Sequence, residues 1–442
     1  MLFRQFVDDD LGCGSYLLGD RTTGEAVVVD PAFAIEQYVE AAAEEGVRIV
    51  RVLETHTHAD HVSGHGRLAL EHGVPTSIHP LAEPEYPFDP IGDGDVVRVG
   101  DVRVRVLHTP GHRPEHCAFV VDERLALTGD SPFVGDAARP DLAVEVTEGA
   151  RDLFHSLERL AQLPDDAVVY PGHVAGSLCG SNMSPERSTT IARERAQNPA
   201  LQFRDVQEFV LSAAAIAAPR PPTTARVVAL NRGPWVGLPE ELAAVDDPGD
   251  ATVLDVRPVA DFAAGHVAGA FNVPVSGSSF STRAAFVLDP DEPVVLHARS
   301  EEEAREAARR LWSVGLLRLA GYLVRAEATE TLATVDVAEL KRLLDGGGAD
   351  GVQLVDVREA SERDEGYIPG SRNIPYRLLR KAGAESLDAS RPVVTICESG
   401  ARAAIAASVL EREGFDARPV VAGGIRDFDG DGETVHFRRC GS

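Results

Sequence analysis

Four side chains able to hold a metal ion crowd into six positions of one segment. They are His56, His58, Asp60 and His61 of ETHTHADHVSG, residues 54–64. The segment continues an apolar run, VRIVRVLE. On an extended chain alternate side chains face the same way, so His56 and His58 leave the strand end on one side. A turn at Ala59 can then bring Asp60 and His61 round. Further donors are His112 in HTPGH, Asp130 in LTGD and His173 in VYPGH. Each follows a strand-like run at a glycine-containing turn, the placement expected of a site built on loops over a rigid sheet. If all seven residues bind, the site holds two ions, and two zincs would activate a bridging hydroxide. If only His56, His112 and Asp130 bind, two histidines and one carboxylate hold one ion and leave positions open. That set suits ferrous iron activating dioxygen, chemistry closed to zinc, which has no redox cycle. Spacing alone does not separate the two cases.

A second reactive stretch is CESGAR, Cys397 to Arg402, between the apolar PVVTI and the helical RAAIAASVLEREG. A loop running from a strand into a helix N-terminus turns backbone N–H groups inward, and the helix dipole adds partial positive charge. Arg402 adds a full charge. A thiol held there should be a good nucleophile, and its persulfide would be stabilised by the same donors.

The elements that must position these groups can be read from periodicity. In residues 1–178, GEAVVVDPA, VRIVRVLE, VPTSIH, VVRVGDVRVRVLHT, CAFVVDERLALTGD and DAVVYPGH read as strands. AIEQYVEAAAEEG, SGHGRLALEHG and EGARDLFHSLERLAQLP carry apolar residues at helical spacing. Residues 184–218 read as mainly helical, and the proline-rich APRPPTT at 218–224 reads as a domain boundary. The remainder contains a repeat. LDVRPVADFAAGHVAGAFNVP (254–274) aligns without a gap to VDVREASERDEGYIPGSRNIP (355–375). The shared frame is D-V-R, a glycine ten residues after the aspartate, then G-x-x-N and a proline. Two copies are too few for a solenoid and read as tandem α/β domains joined near residues 326–335. In the first copy Ala298 stands where the second has Cys397, and its loop carries Glu301, Glu302 and Glu303. Without a thiol this copy has no covalent sulfur chemistry, so a structural or interfacial role is expected, with none for His297.

The chain has 442 residues, which suggests about three domains. Its formal charge is −27, with Lys341 and Lys381 as its only lysines. So acidic a surface repels phosphate backbones and argues against nucleic acid. No run approaches the ~20 apolar residues of a membrane span, and the N-terminus lacks a signal-peptide layout. A cytoplasmic protein is expected, without membrane partners. Five scattered cysteines without a C-x-x-C pair exclude a disulfide framework. Cys13, Cys117 and Cys440 receive no role. Cys179, six residues after His173, reads as an inert packed cysteine, with a relay thiol as the alternative.

The pattern H-x-H-x-D-H followed by His, Asp and His resembles the metallo-β-lactamase fold over about residues 1–200. That superfamily hosts hydrolases and oxygenases alike. TGDSPFVGDAARPDL, residues 128–142, looks like the segment after the ligand aspartate in persulfide dioxygenases and their rhodanese fusions. The strand–C-x-x-G-x-R–helix context, D-V-R, G-x-x-N-I-P and AGG at 422–424 resemble a rhodanese sulfurtransferase, with Phe428 where many members carry Trp. The order of domains is similar to that of CstB-type persulfide dioxygenase–sulfurtransferases. The resemblance implies an α/β protein with an αββα sandwich over 1–222, an inactive rhodanese-like domain over 225–325 and an active one over 333–442, the last two with parallel sheets. It implies one Fe(II) per chain on His56, His112 and Asp130. His58, Asp60, His61 and His173 would then orient those ligands, or else hold a second ion. Arg139 and Asp141 would bind substrate, with an exposed salt bridge between them as the alternative, and Cys397, Gly400 and Arg402 would form the sulfur-transfer loop. The substrates implied are a small-molecule persulfide and O2, with sulfite or thiosulfate as products. Self-association is compatible with three domains, the middle one inert. The rival is a zinc-dependent thioester hydrolase of the glyoxalase II kind with appended sulfur-carrier domains.

Overall fold

The strand Gly14–Asp20, buried along its whole length, sets the layering of the N-terminal part of the chain. Tyr16 and Leu18 point to one face and Leu17 to the other, and all three are buried. A strand buried on both sides must lie between two layers. The computed structural model describes residues 1–140, 145–174, 184–214, 219–347, 351–380 and 384–428. It falls into two units, Met1–Pro239 with Trp312–Gly315, and Glu240–Leu311 with the rest.

The first unit stacks two six-stranded sheets. One runs in chain order through Leu2–Val7, Gly14–Asp20, Glu25–Val29, Arg48–Leu53, Thr76–Ile78 and Asp89–Pro90. The other has the order Thr189–Thr190, Val168–Pro171, Leu125–Gly129, Cys117–Val121, Val102–His108 and Val96–Val99. Tyr16, Leu18, Val27 and Val29 meet Val104, Val106, Phe119 and Val121 between the sheets. On one outer face Leu17, Val28 and Val52 pack on Tyr38, Ala42 and Leu68 of the helices Glu36–Glu44 and His65–His72. On the other, Ala118, Val120 and Ala126 pack on Leu160 and Leu163, at the end of helix Val146–Leu160 and just past it. The result is the expected αββα sandwich. The strands expected from periodicity are present. Periodicity does not reveal the opening pair Leu2–Val7 and Gly14–Asp20, because its partly polar residues (Arg4, Gln5, Ser15) mask the alternation.

The first unit extends past the proline-rich stretch at 218–224, which therefore does not bound it. Helix Thr224–Arg232 belongs to it for a physical reason: Asn231 is buried and supplies both ends of its amide to the histidine-rich loop. Its Oδ1 accepts from Ser63 N at 2.9 Å, and its Nδ2 donates to the carbonyls of His58 and His61 at 3.0 and 2.8 Å.

The second unit holds two four-stranded parallel sheets with the same order of elements. Phe271–Asn272, Thr252–Asp255, Val294–His297 and Leu319–Leu323 form the first; Arg372–Asn373, Gln353–Asp356, Val393–Ile396 and Ala417–Pro419 form the second. The repeated motif has a structural explanation. The arginine of D-V-R forks its own aspartate and reaches the carbonyl of the glycine ten residues on. Arg257 donates to Asp255 and Gly265, and Arg358 to Asp356 and Gly366. The asparagine of G-x-x-N caps two carbonyls at the strand end: Asn272 donates to those of Asp255 and Arg257, and Asn373 to those of Asp356 and Arg358. Among the described residues no helix is long and apolar enough to cross a membrane.

Buried carbonyls left bare are expensive, so Asn272→Ala should cost about 1–3 kcal/mol in urea unfolding. An effect under about 0.5 kcal/mol would show that the asparagine is not a structural bracket.

Candidate active site

The strands Arg48–Leu53, Val102–His108, Leu125–Gly129 and Val168–Pro171 end at one edge of the sandwich, and their loops carry the donors. His56, His112 and Asp130 converge there, each about 1% exposed. Asp130 Oδ2 lies 3.4 Å from His112 Nε2 and 3.9 Å from His56 Nε2. Neither His56 Nε2 nor Asp130 Oδ2 has a hydrogen-bond partner. Buried polar atoms are almost always satisfied, so these point to something absent from the protein itself. The far sides of the rings are fixed. His112 Nδ1–H donates to the carbonyl of Arg139 at 2.9 Å, and His56 Nδ1 meets Thr55 Oγ1 at 2.9 Å, which in turn donates to Asp30 at 2.8 Å. Such outer bonds aim the Nε2 lone pairs inward, as metal-binding histidines require. Burial, together with the neighbouring rings His58, His112 and His116, pushes His56 well below the usual imidazole range, and burial lowers His112 too. Burial opposes charge on Asp130, but His173 and His112 outweigh it and hold its carboxyl down. Two neutral imidazoles and a carboxylate are the protonation states a metal needs.

The other expected donors do not join this set. His58 turns to two buried carboxylates, its Nε2 lying 3.2 Å from Glu54 Oε2 and 3.4 Å from Asp30 Oδ1. These partners outweigh burial and raise its basicity well above normal. Asp60, His61 and His173 gather around Cys13, a thiol to which the sequence assigns no role. Cys13 Sγ lies 3.2 Å from Asp60 Oδ2, 3.3 Å from His173 Nε2 and 3.5 Å from His61 Nδ1. Burial raises this thiol well above its ordinary range. His173 links the two groups: its Nδ1–H donates to Asp130 Oδ1 at 2.7 Å, and its Nε2 faces Asp60 Oδ2 at 2.8 Å.

Sequence reasoning also missed Asp30, which holds Thr55 and His58 from a left-handed conformation (φ 48°) at the end of its strand. The signal was present as a lone aspartate closing the apolar run EAVVV. His116, four residues past His112, brings its ring 5.2 Å from His56 and anchors on Thr109. Burial drops its basicity to about 3. A side chain at Gly129 would strike both Thr55 and His116, so this turn admits only glycine. Arg139 contributes through its carbonyl; Asp141 and Cys179 lie outside the described residues.

In the second unit Cys397 is buried at the end of strand Val393–Ile396, with a free thiol. Gly400 N–H donates to Cys397 Sγ at 3.2 Å from a left-handed conformation (φ 90°), and a side chain there would press on Val420 O. Helix Ala401–Arg412 begins at that point. Arg402 does not stand alone beside the loop: it forks Glu362 at 2.6 and 2.7 Å. At the equivalent place in the first repeat, Ala298 is fully buried and leads into Glu301–Ser313, with Glu303 engaging Arg299. His297 faces Asp255 at 3.2 Å, a structural position.

Comparison with known proteins follows this division. Residues 8–173 match the metallo-beta-lactamase superfamily, and residues 238–325 and 336–431 match the rhodanese-like domain. The chain is 32% identical to the human mitochondrial persulfide dioxygenase ETHE1 over 225 residues, 50% of this chain and 84% of that protein. A solved metallo-beta-lactamase from Staphylococcus aureus subsp. aureus COL superposes with a TM-score of 0.68 at 28% identity, covering 73% of this chain and 98% of that one. The structure of ETHE1 from Myxococcus xanthus gives a TM-score of 0.47 at 30% identity, covering 52% of this chain and 98% of that one.

The fork between Arg402 and Glu362 has a pH signature. Burial pushes Glu362 up, but Arg402 outweighs it and holds the carboxyl below its usual range. A carboxyl lowered on folding adds stability above its unfolded value, and that stability is lost as pH falls through the folded value. Glu362→Gln should therefore cost about 1 kcal/mol at pH 7 in urea unfolding, with the gap to wild type closing below pH ~4. A gap that persists unchanged at pH 3 would rule out this pair as the cause.

Proposed function

We propose the following activity for a chain that belongs to the ETHE1 persulfide dioxygenase family of the metallo-β-lactamase superfamily and carries tandem rhodanese-like domains. The first unit oxidises a low-molecular-weight persulfide: R–S–SH + O2 + H2O gives R–SH + H2SO3. The second unit transfers sulfane sulfur through Cys397. The setting proposed is persulfide detoxification in the cytoplasm.

The observation that carries the reading is the division of labour among the donors. His58 is held by Asp30 and Glu54, and Asp130 Oδ1 is taken by His173. His56, His112 and Asp130 Oδ2 are left to face one another, a two-histidine, one-carboxylate set for a single ion. Iron bound there would supply the redox chemistry with dioxygen that zinc lacks. The chain's residues do the rest. Thr55 and the carbonyl of Arg139 aim the two imidazoles. His173 fixes the carboxylate, so that only one of its oxygens faces the histidines. We assign Arg139 and Asp141 to anchoring the persulfide.

Cys397 attacks the outer sulfur of the small persulfide, whose S–S bond breaks: Cys–S⁻ + R–S–SH yields Cys–S–S⁻ + R–SH, and Gly400 N–H is placed to stabilise the product. Attack by sulfite on the outer sulfur then gives thiosulfate: Cys–S–S⁻ + SO3²⁻ yields Cys–S⁻ + S2O3²⁻. Ala298 removes the first repeat from this chemistry.

One observation favours a second reading. Cys13, Asp60 and His61 have donor atoms close enough to share an ion, and thiolate with imidazole and carboxylate suits zinc. A hydrolase with paired zincs would use them, and two zincs per chain without oxygen uptake would favour that reading.

Two variants test the proposal. Asp130→Ala should strip the iron and abolish oxygen uptake with persulfide, while sulfur transfer to cyanide survives. Cys397→Ser should abolish that transfer and leave oxygen uptake within about twofold of wild type, because the chemistry occupies separate sites. Retained dioxygenase rate in Asp130→Ala would contradict the ligand set, and loss of both activities in Cys397→Ser would contradict their separation.

A further inference from the structure

His266 is buried in the first repeat, its ring stacked on Phe262 with centroids 3.7 Å apart. Its Nδ1–H donates to the carbonyl of Phe262 at 2.9 Å. That bond leaves Nε2 as the atom to be satisfied, yet Nε2 is buried and makes no hydrogen bond. Two carboxylates converge on it: Glu411 Oε2 at 3.2 Å and Glu330 Oε2 at 3.9 Å. Neither contact is a hydrogen bond, yet the two carboxylates outweigh burial and raise the basicity of the ring, so positive charge is favoured at this point. A bare lone pair facing two anions is repulsive in a low-dielectric setting, so the arrangement calls for a cation between the three atoms.

The donors come from three parts of the second unit. His266 follows helix Val259–Ala264 of the repeat that lacks the cysteine, and Glu330 lies in the connector. Glu411 sits in the last turn of helix Ala401–Arg412, whose first turn follows the Cys397 loop. The backbone holds them together in advance. His266 N donates to Glu330 O at 3.0 Å and Thr329 N to His266 O at 2.9 Å. The helix is docked nearby, with Asn272 N donating to Ser408 Oγ at 3.0 Å and Arg412 to Gly269 O at 2.8 Å.

We propose that His266, Glu330 and Glu411 form a site for a divalent ion of the zinc class, which clamps the cysteine-free repeat and the connector to the far end of the Cys397 helix. Ligand bonds of about 2.0–2.2 Å put any two ligand atoms at most ~4.4 Å apart. The two pairs to His266 already meet that limit at 3.2 and 3.9 Å, and one donor atom from each of the three residues lies within 4.8 Å of the others. The Nδ1 bond to a carbonyl is the outer support that metal-binding histidines make. Glu330 is 45% exposed, so solvent can fill the remaining coordination. The inert repeat thereby acquires a role, which is to hold the helix that carries the sulfur-transfer loop.

The test uses the full chain with its iron site loaded, dialysed to equilibrium against zinc. Wild type should retain one zinc per chain more than His266→Gln, and the difference is what counts, whatever zinc binds elsewhere. Glu330→Gln, on the surface, should fold normally and weaken that zinc at least tenfold. Zinc should also raise the unfolding temperature of wild type more than that of either variant. Equal zinc content and equal zinc response in all three proteins would mean that a proton on His266 is the cation there, and would overturn the proposal.

Discussion

Everything at the metal-binding edge depends on how one carboxylate is divided. Asp130 gives one oxygen to His173 Nδ1–H at 2.7 Å and keeps the other free toward His56 and His112. A buried carboxylate split in this way cannot bridge two ions without losing a charge-assisted bond, one of the stronger contacts available in a protein interior. His58 is engaged separately: its Nε2 faces two buried carboxylates, while its ring lies 4.3 Å from those of His56 and of His61. The seven candidate donors of the sequence thus divide into a converging group, His56, His112 and Asp130, and a surrounding network. Cys13 belongs to that network and ties Asp60, His61 and His173 together.

The second unit shows what two repeats share when one carries a cysteine and the other an alanine. The bracket of aspartate, arginine and asparagine is built identically in both repeats, because it satisfies backbone groups at the end of a parallel strand. That requirement is independent of catalysis. The loop differs: Gly400 offers its N–H to the thiol of Cys397, whereas the first repeat has Ala298 in place of the cysteine and Glu301, the start of an acidic helix, in place of the glycine. Scaffold and chemistry are separable, so an inert copy can persist as a support.

Much of this was readable from the chain alone. Alternation located most strands of the sandwich, and His56, His112, Asp130 and His173 were legible as donors at strand ends, which the fold brings to one edge. The repeat located both parallel-sheet domains. What escaped were partners created only by folding. Asn231 reaches the histidine loop across 170 positions, Cys13 meets His173 across 160, and Asp60 lies 47 positions from Cys13. Nothing in the local sequence of Asn231 or Cys13 marks either as part of a site. The proline-rich stretch at 218–224 looked like an end, but the helix beyond it is recruited by the polar groups of the histidine loop. The fork between Arg402 and Glu362 is similarly long-range, and it neutralises a charge that the sequence alone leaves unopposed.

The proposed chemistry stands on a single redox-active ion in the first unit. Elemental analysis of the full chain, paired with an oxygen electrode and a small persulfide, tests this most directly. One iron per chain with oxygen consumed in step with sulfite formed is the predicted result. Two zincs per chain and no oxygen uptake would contradict it.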